Sequence, residues 1–500
     1  MFAQRSNRNF YRRVHYPPLE NMAEFDLNQV YSRIDKDFGR HIANTRRLLM
    51  QPSSSQEHIG IEKCAELVAK MCKAAGCEKV EVAKTKGNPI VYGECKGETD
   101  ETLLAYFMYD TMPFNEPGWN TPPLGAKIVE KKLPAGKVTA MVNRGAANTK
   151  GPLAAFLNAV DACNKSVGRL PVNLILIAEG EEELGSPSLP AYVKKEEKKL
   201  SRASALYFPF FAQDTDGSIT LLLGNKGCVY FELECSGKAW GKGPQEFAIH
   251  SANKAWVDSP VWRLVEALGT MATDNGSKVM IEGFYDDIDP PTKDDEKLMK
   301  DSAERLNLEA AKDEIKVSRF MFPDGDKVEL MRSLNFASTL NLDGIWAGWI
   351  EKGSKTVLPH KATCKIDIRL VPRQDKEKML GLVRKHLDKH GYKDIKITEI
   401  DNYIDWSKCS VKEHVVQSMI RSLKKFECDP CLWPLDPSSV PYYIFTRTLN
   451  IPFTNGGIGH GALSHSPNEY IVIEGNDKIA GFAEAEKFMV HFMNEFGQRG

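Results

Sequence analysis

From about residue 26 to 80, apolar residues recur three and four apart, most plainly over 61–72, and this spacing predicts helices. Short apolar runs at Ile90-Val91-Tyr92 and over 103–108 predict strands, and the Pro- and Gly-rich stretch 113–125 predicts a loop. Residues 151–163 then read as a helix and 172–178 as a buried strand. Strand, helix and strand at this spacing predict a parallel sheet covered by helices, an α/β fold. Ligands of such sheets bind beyond the carboxyl ends of the strands. Asp110 and the run Glu181-Glu182-Glu183 both fall just past a strand end, which places them in one crevice.

After Gly227 the texture changes. Residues 228–235 predict a strand, 260–271 an amphipathic helix, and 361–371 a strand with Cys364, Ile366, Ile368 and Leu370 on one face. Residues 376–390 predict a further helix, completing a small α+β unit. Helical and strand segments return from about 405 and end in a glycine-rich loop holding His460. The expected organisation is a basic tail over 1–25, a catalytic-type α/β domain over 26–227 and 405–500, and an inserted α+β domain over 228–404.

Composition narrows the functions. Charged residues make up 27% and the formal net charge is -1, so the clustered basic excess of a nucleic-acid binder is missing. A small molecule or a peptide is the expected partner. No apolar run approaches the roughly 18 residues of a membrane span. Eleven scattered cysteines in a long chain point to reduced thiols and a cytoplasmic setting, not a disulfide framework, and the lone pair Cys428/Cys431 reads as an incidental loop. The arginine-rich, acid-free N-terminus leaves a mitochondrial presequence as the alternative.

Three adjacent carboxylates at a strand end repel one another unless a cation or protons offset the repulsion. One can hold a metal while its neighbour handles a proton. Three further loops join this one: 108–113 (MYDTMP), 144–152 (RGAANTKGP) and 464–469 (SHSPNE), with 179–186 (EGEEELGS) between them. In this order and spacing the loops resemble the HxDxxP, RGxxDxKG, EGxEExGS and HSxNE motifs of the M20 metallopeptidases. The similarity is closest to the carnosinase-like cytosolic dipeptidase branch and covers about residues 35–495.

The resemblance implies a zinc-peptidase α/β domain interrupted by a lid and dimerisation domain, a homodimer, and two metal ions bridged by an aspartate and a water. It makes Glu182 the general base, Glu183 and His465 metal ligands, and Asp110 the acid that supports the first motif. It makes His250 a stabiliser of the developing oxyanion across the dimer, and Arg369, Thr356 and Ser439 substrate contacts. Lys150 joins them as a further contact. Three positions depart from the pattern. Met108 stands for the first histidine, Asn148 for the bridging aspartate, and Pro209 or Phe210 for a further aspartate, with Asp214 and Asp216 as nearby substitutes. A thioether is a poor ligand for hard or borderline dications, and a neutral amide does not offset two of them.

The expected function is therefore an M20-like hydrolase of a small carboxylate-bearing amide or dipeptide. Its cofactor is either one divalent ion, zinc or manganese, on Glu183, His465 and Asn148 or His460, or none. The alternatives are a pseudoenzyme that binds without turnover and a metal-independent isomerase or lyase.

Overall fold

The structure, a computed structural model, describes residues 25–322, 325–400 and 404–498. The expected basic tail lies outside them except for Phe25. The chain opens with helices α1 (Leu27–Met50) and α2 (Ile61–Ala74), then strands β1 (Lys79–Ala83), β2 (Ile90–Cys95) and β3 (Thr102–Met108). A hairpin of β4 (Lys127–Leu133) and β5 (Gly136–Val142) precedes helix α3 (Gly151–Ser166), which leads into β6 (Asn173–Glu179) and β7 (Ala205–Phe208). Next come β8 (Gly227–Ser236), α4 (Pro260–Met271), β9 (Thr339–Ala347), β10 (Lys361–Leu370), α5 (Lys376–Lys389) and β11 (Lys396–Glu399). The last segment holds α6 (His414–Lys425), β12 (Phe453–Asn455), β13 (Gly461–Ala462), β14 (Tyr470–Glu474) and α7 (Phe482–Gly497).

The main sheet has the order β1-β2-β6-β3-β7-β12. It is parallel from β6 through β3 and β7 to β12, whereas β1 and β2 run antiparallel. The expected parallel sheet is corrected to a mixed one. Strand β2 misleads because nearly all its residues are buried on both faces, the mark of an inner parallel strand. Helix α3 is buried along its whole first three turns and packs against α1 and α7 over this sheet. One apolar core joins these layers, with Tyr106, Phe107, Phe156 and Tyr207 at its centre.

A second, separate core covers one face of the sheet β9-β10-β8-β11. Period-2 alternation decides which face it is: Val229, Phe231 and Leu233 of β8 oppose Ile368, Ile366 and Cys364 of β10, and all are buried. Helices α4 and α5 supply Leu264, Ala267, Val383 and Leu387 to the same core. A third sheet, β13-β14-β5-β4, flanks the first and carries the loop that holds His465.

Cys77 and Cys95 are paired as a disulfide between the start of β1 and the end of β2, which corrects the expectation that all thiols are reduced. The two strands lie antiparallel here and bring the Cα atoms to 4.4 Å. The other nine cysteines are free, Cys428 and Cys431 among them. No helix among the described residues is long and apolar enough to cross a membrane.

Candidate active site

Strands β3 and β6 are parallel neighbours that end together, Met108 opposite Glu179. The residues that follow each strand therefore emerge side by side. After β6 the chain makes a short 3-10 turn over Glu182–Leu184, and Asp110 caps it: Oδ1 accepts from the Glu182 amide at 3.2 Å and Oδ2 from the Glu183 amide at 3.1 Å. Gly180 lies where a Cβ would sit 2.4 Å from the Tyr109 hydroxyl, so only glycine lets the turn pass this close.

The three carboxylates splay apart. Glu181 turns back to accept from the Asn88 amide at 2.8 Å. Glu183 accepts from Asn148 Nδ2 at 2.9 Å through one oxygen and meets His465 Nε2 at 3.0 Å with the other. Asn148 Nδ2 and His465 Nε2 are themselves 3.1 Å apart, so two donors stand side by side on one acceptor. The Glu182 carboxyl has no hydrogen-bond partner among the described residues and is only partly covered.

The electrostatics follow from burial and like charge. Burial first, then the Glu183 and Asp110 charges, pushes Glu182 well above the usual carboxylate range. Burial, with Glu183 second, pushes Asp110 up to about 7. Behind them Glu179 accepts from Tyr106 Oη at 2.5 Å and Ser186 Oγ at 2.8 Å, and burial pushes it up to about 8. His465 is raised, chiefly by its hydrogen bond to Glu183, and stands with φ of 63°, a strained left-handed backbone of the kind found at functional sites.

Glu469 builds the floor. It is 1% exposed and accepts from the amides of Gly145, Ala147 and Asn148 at 2.8 to 2.9 Å, with Arg144 Nη1 at 3.1 Å. Gly145, at φ of 77°, allows the chain to wrap around this carboxylate. The sequence reading gave Glu469, Arg144 and Glu179 no role, although all three stand inside the motifs that it used.

Two other expected contacts form pairs of their own. His250 Nδ1 accepts from the Ala252 amide at 3.1 Å, so its Nε2 carries the proton and donates to Thr356 Oγ1 at 3.1 Å. Arg369 Nη1 donates to Ser439 Oγ at 3.2 Å, while its Nε meets Asp367 at 2.8 Å. Neither pair hydrogen-bonds to the Glu182–His465 cluster within the chain.

Several expected members stand elsewhere. Lys150, expected to touch substrate, is fully buried and donates to the Gln51 carbonyl at 2.5 Å and Ser53 Oγ at 3.0 Å. It faces inward because it opens α3, whose first turn packs on the core. His460 spends both nitrogens, donating to the Gln213 carbonyl at 2.6 Å and accepting from Tyr470 Oη at 2.9 Å. Asp214 and Asp216 cap their own turn through the amides of Thr215 and Ser218.

The donor set does not fit two metal ions. Met108 is buried at the end of β3, Asn148 offers an amide, and Phe210 packs its ring at a tilt against Phe208, 5.7 Å between centroids. Among the described residues, the cluster of three acidic or histidine donors is Asp37, His41 and Asp161, between α1 and α3. Arg40 Nη2 already occupies that cluster, 2.7 Å from Asp37 and 2.6 Å from Asp161.

The raised carboxyls have a consequence for stability. The unfolded chain releases the Asp110 proton near pH 4, and the native protein holds it to about 7. The native state thus binds more protons across this window, and the stability it gains at low pH is lost as the pH rises through it. Melting of chelator-treated protein from pH 4 to 8 is expected to show this decline, and Asp110→Asn is expected to flatten it. An equal slope in the variant contradicts the assignment.

A family model described as peptidase family M20/M25/M40 matches residues 106–495. A Cys-Gly metallodipeptidase of Saccharomyces cerevisiae is 31% identical over 294 residues, 58% of this chain and 57% of that protein. The β-Ala-His dipeptidase of Homo sapiens is 29% identical over 305 residues, 60% of this chain and 56% of that one. The matched segment thus spans somewhat over half the length of these relatives. An M20 family metallo-carboxypeptidase from Sulfolobus solfataricus superposes with a TM-score of 0.80 at 31% identity, covering 91% of this chain and 99% of that one. Human carnosine dipeptidase 1 shares the fold at a TM-score of 0.73 and 23% identity, over 95% of this chain and 99% of its own. The α/β architecture, the order of the four loops and the family match agree: the chain belongs to peptidase family M20/M25/M40.

Proposed function

We propose that the protein hydrolyses a small dipeptide-like or N-acylated substrate with a free carboxylate, using a remodelled site in place of a two-ion centre. The observation that supports this reading most is the Glu182 carboxyl, unpartnered among the described residues at the strand end and with its proton affinity raised by burial and neighbouring acids. A carboxyl with a raised pKa both takes and gives protons near neutrality. Glu182 takes the proton of the attacking water and passes it to the leaving amine. Asp110 braces the turn that presents it. Arg369 and Ser439 hold the substrate carboxylate, for which a guanidinium fork is well shaped. His250, its Nε2 proton turned outward to Thr356, stabilises the oxyanion in a second copy of a homodimer. One divalent ion, zinc or manganese, held by Glu183, His465 and Asn148, would supply polarisation of the substrate carbonyl. The Cys-Gly and β-Ala-His dipeptidases among the relatives support a dipeptide substrate.

A screen of dipeptides and N-acyl amino acids, run with and without added zinc or manganese, tests the proposal. Turnover of at least one carboxylate-bearing substrate is expected. If none is turned over while ligands still bind, the protein is a binding protein on this fold. Ion binding is read separately: a native-state ligand raises the melting temperature, by about 2.7 kcal/mol of stability at a hundredfold excess over Kd. A melting temperature unmoved by either ion removes the mono-metal form.

A further inference from the structure

Lys226 precedes β8 where the second sheet meets the first core. It is 4% exposed, and its Nζ donates to the Ala337 carbonyl at 2.7 Å. The next residue along that chain, Ser338, donates its hydroxyl to the Arg369 carbonyl at 2.9 Å. Asn225 reaches the Val440 carbonyl at 3.2 Å, beside Ser439, and leaves its Oδ1 buried without a partner. These contacts, with the Arg369–Ser439 hydrogen bond, tie the segments of Lys226, Arg369 and Ser439 together.

The local carboxylates are engaged elsewhere. Asp367 takes both contacts from Asn341 at 3.1 Å as well as the Arg369 Nε. Asp436 is turned to Ser438, accepting from its amide at 3.1 Å and its hydroxyl at 2.5 Å. Lys226 is thus left a buried ammonium whose hydrogen-bond partner is a neutral carbonyl, near the half-buried Arg369 guanidinium that Asp367 already pairs. Burial, and then the Arg369 guanidinium, pushes the Lys226 ammonium down to about 8, with Asp436 opposing. Buried like charges repel unless an anion comes between them.

We propose that Lys226 is a specificity-determining residue of the carboxylate pocket, gripping with Arg369 a single carboxylate of the ligand. It rests on the proposed role of Arg369. Arg369 spends one nitrogen on Asp367 and another on Ser439, which leaves a second cation to balance the incoming charge. The pocket then selects acids over the corresponding amides.

Calorimetric titration with N-acetylglycine and N-acetylglycinamide tests this on the full chain. The wild-type protein is expected to prefer the acid. K226Q is expected to weaken the acid by about tenfold, the scale of one charge-assisted contact, and to leave the amide unchanged. K226R is expected to restore the acid, and K226Q keeps a donor for the Ala337 carbonyl so that the fold is preserved. An acid affinity in K226Q within about twofold of wild type overturns the inference, as does equal weakening of acid and amide or a wild-type protein that binds neither. Binding of the acid without any turnover overturns only the hydrolytic reading of the site.

Discussion

Glu182→Gln is expected to lower turnover by about 10²–10⁴-fold, the range for loss of a positioned general acid–base, while the protein remains as stable or becomes more so. The two effects have one cause. The Glu182 carboxyl accepts no hydrogen bond from the described residues, so an amide of the same shape leaves none of their donors stranded. It also stands among Glu183, Asp110 and Glu179, each of which makes its ionisation unfavourable. Removing the ionisable group relieves that repulsion and removes the proton carrier in the same step. A residue kept for stability shows the opposite: the variant melts lower. Melting temperature and initial rate, measured on one preparation, separate the two.

The second large effect is on stability. Arg144→Met is expected to cost about 3–5 kcal/mol in urea unfolding, because it strands a buried carboxylate. Arg144 is 2% exposed, and its guanidinium is spread over the Pro113 and Ser466 carbonyls at 3.1 Å each, Glu469 and Glu116. It also lies 5.1 Å from the centroid of the Trp119 ring. Glu469 keeps its three backbone donors in the variant but loses its ion pair with Arg144, and burial already favours its acid form. Because the same carboxylate fixes the Asn148 amide at 2.9 Å, activity is expected to fall with stability. A cost below about 1 kcal/mol marks the pair as no stronger than a surface ion pair.

The parts of the fold legible in the sequence were those where periodicity and burial agree. The helix over 260–271 and the apolar face of Cys364, Ile366, Ile368 and Leu370 appear as read, because the apolar positions of each lie on one face and that face is buried. The hairpin of β4 and β5 went unread: Lys127–Leu133 has lysines on both sides of the pleat and is mostly exposed, so no pattern is imposed on it. The charged helices over 293–336 escaped for the same reason, having few residues committed to a core. Within the site, motif spacing located Glu182, Glu183, Asn148 and His465, which the fold brings together. It could not give side-chain direction. Lys150 and His460 lie in the right loops and point into the protein, and nothing in spacing along the chain distinguishes inward from outward. Lys226 gave a weaker signal still, a single basic residue ahead of an apolar strand.

The claim that joins these observations is that the site handles protons through Glu182 and is not built for a pair of metal ions. Anomalous diffraction at the zinc edge, from crystals soaked in excess zinc, tests it most directly. At most one peak is expected in the site, between Glu183 and His465. Two peaks about 3.5–4 Å apart, the spacing of a two-metal centre, with Asn148 between them, would contradict it.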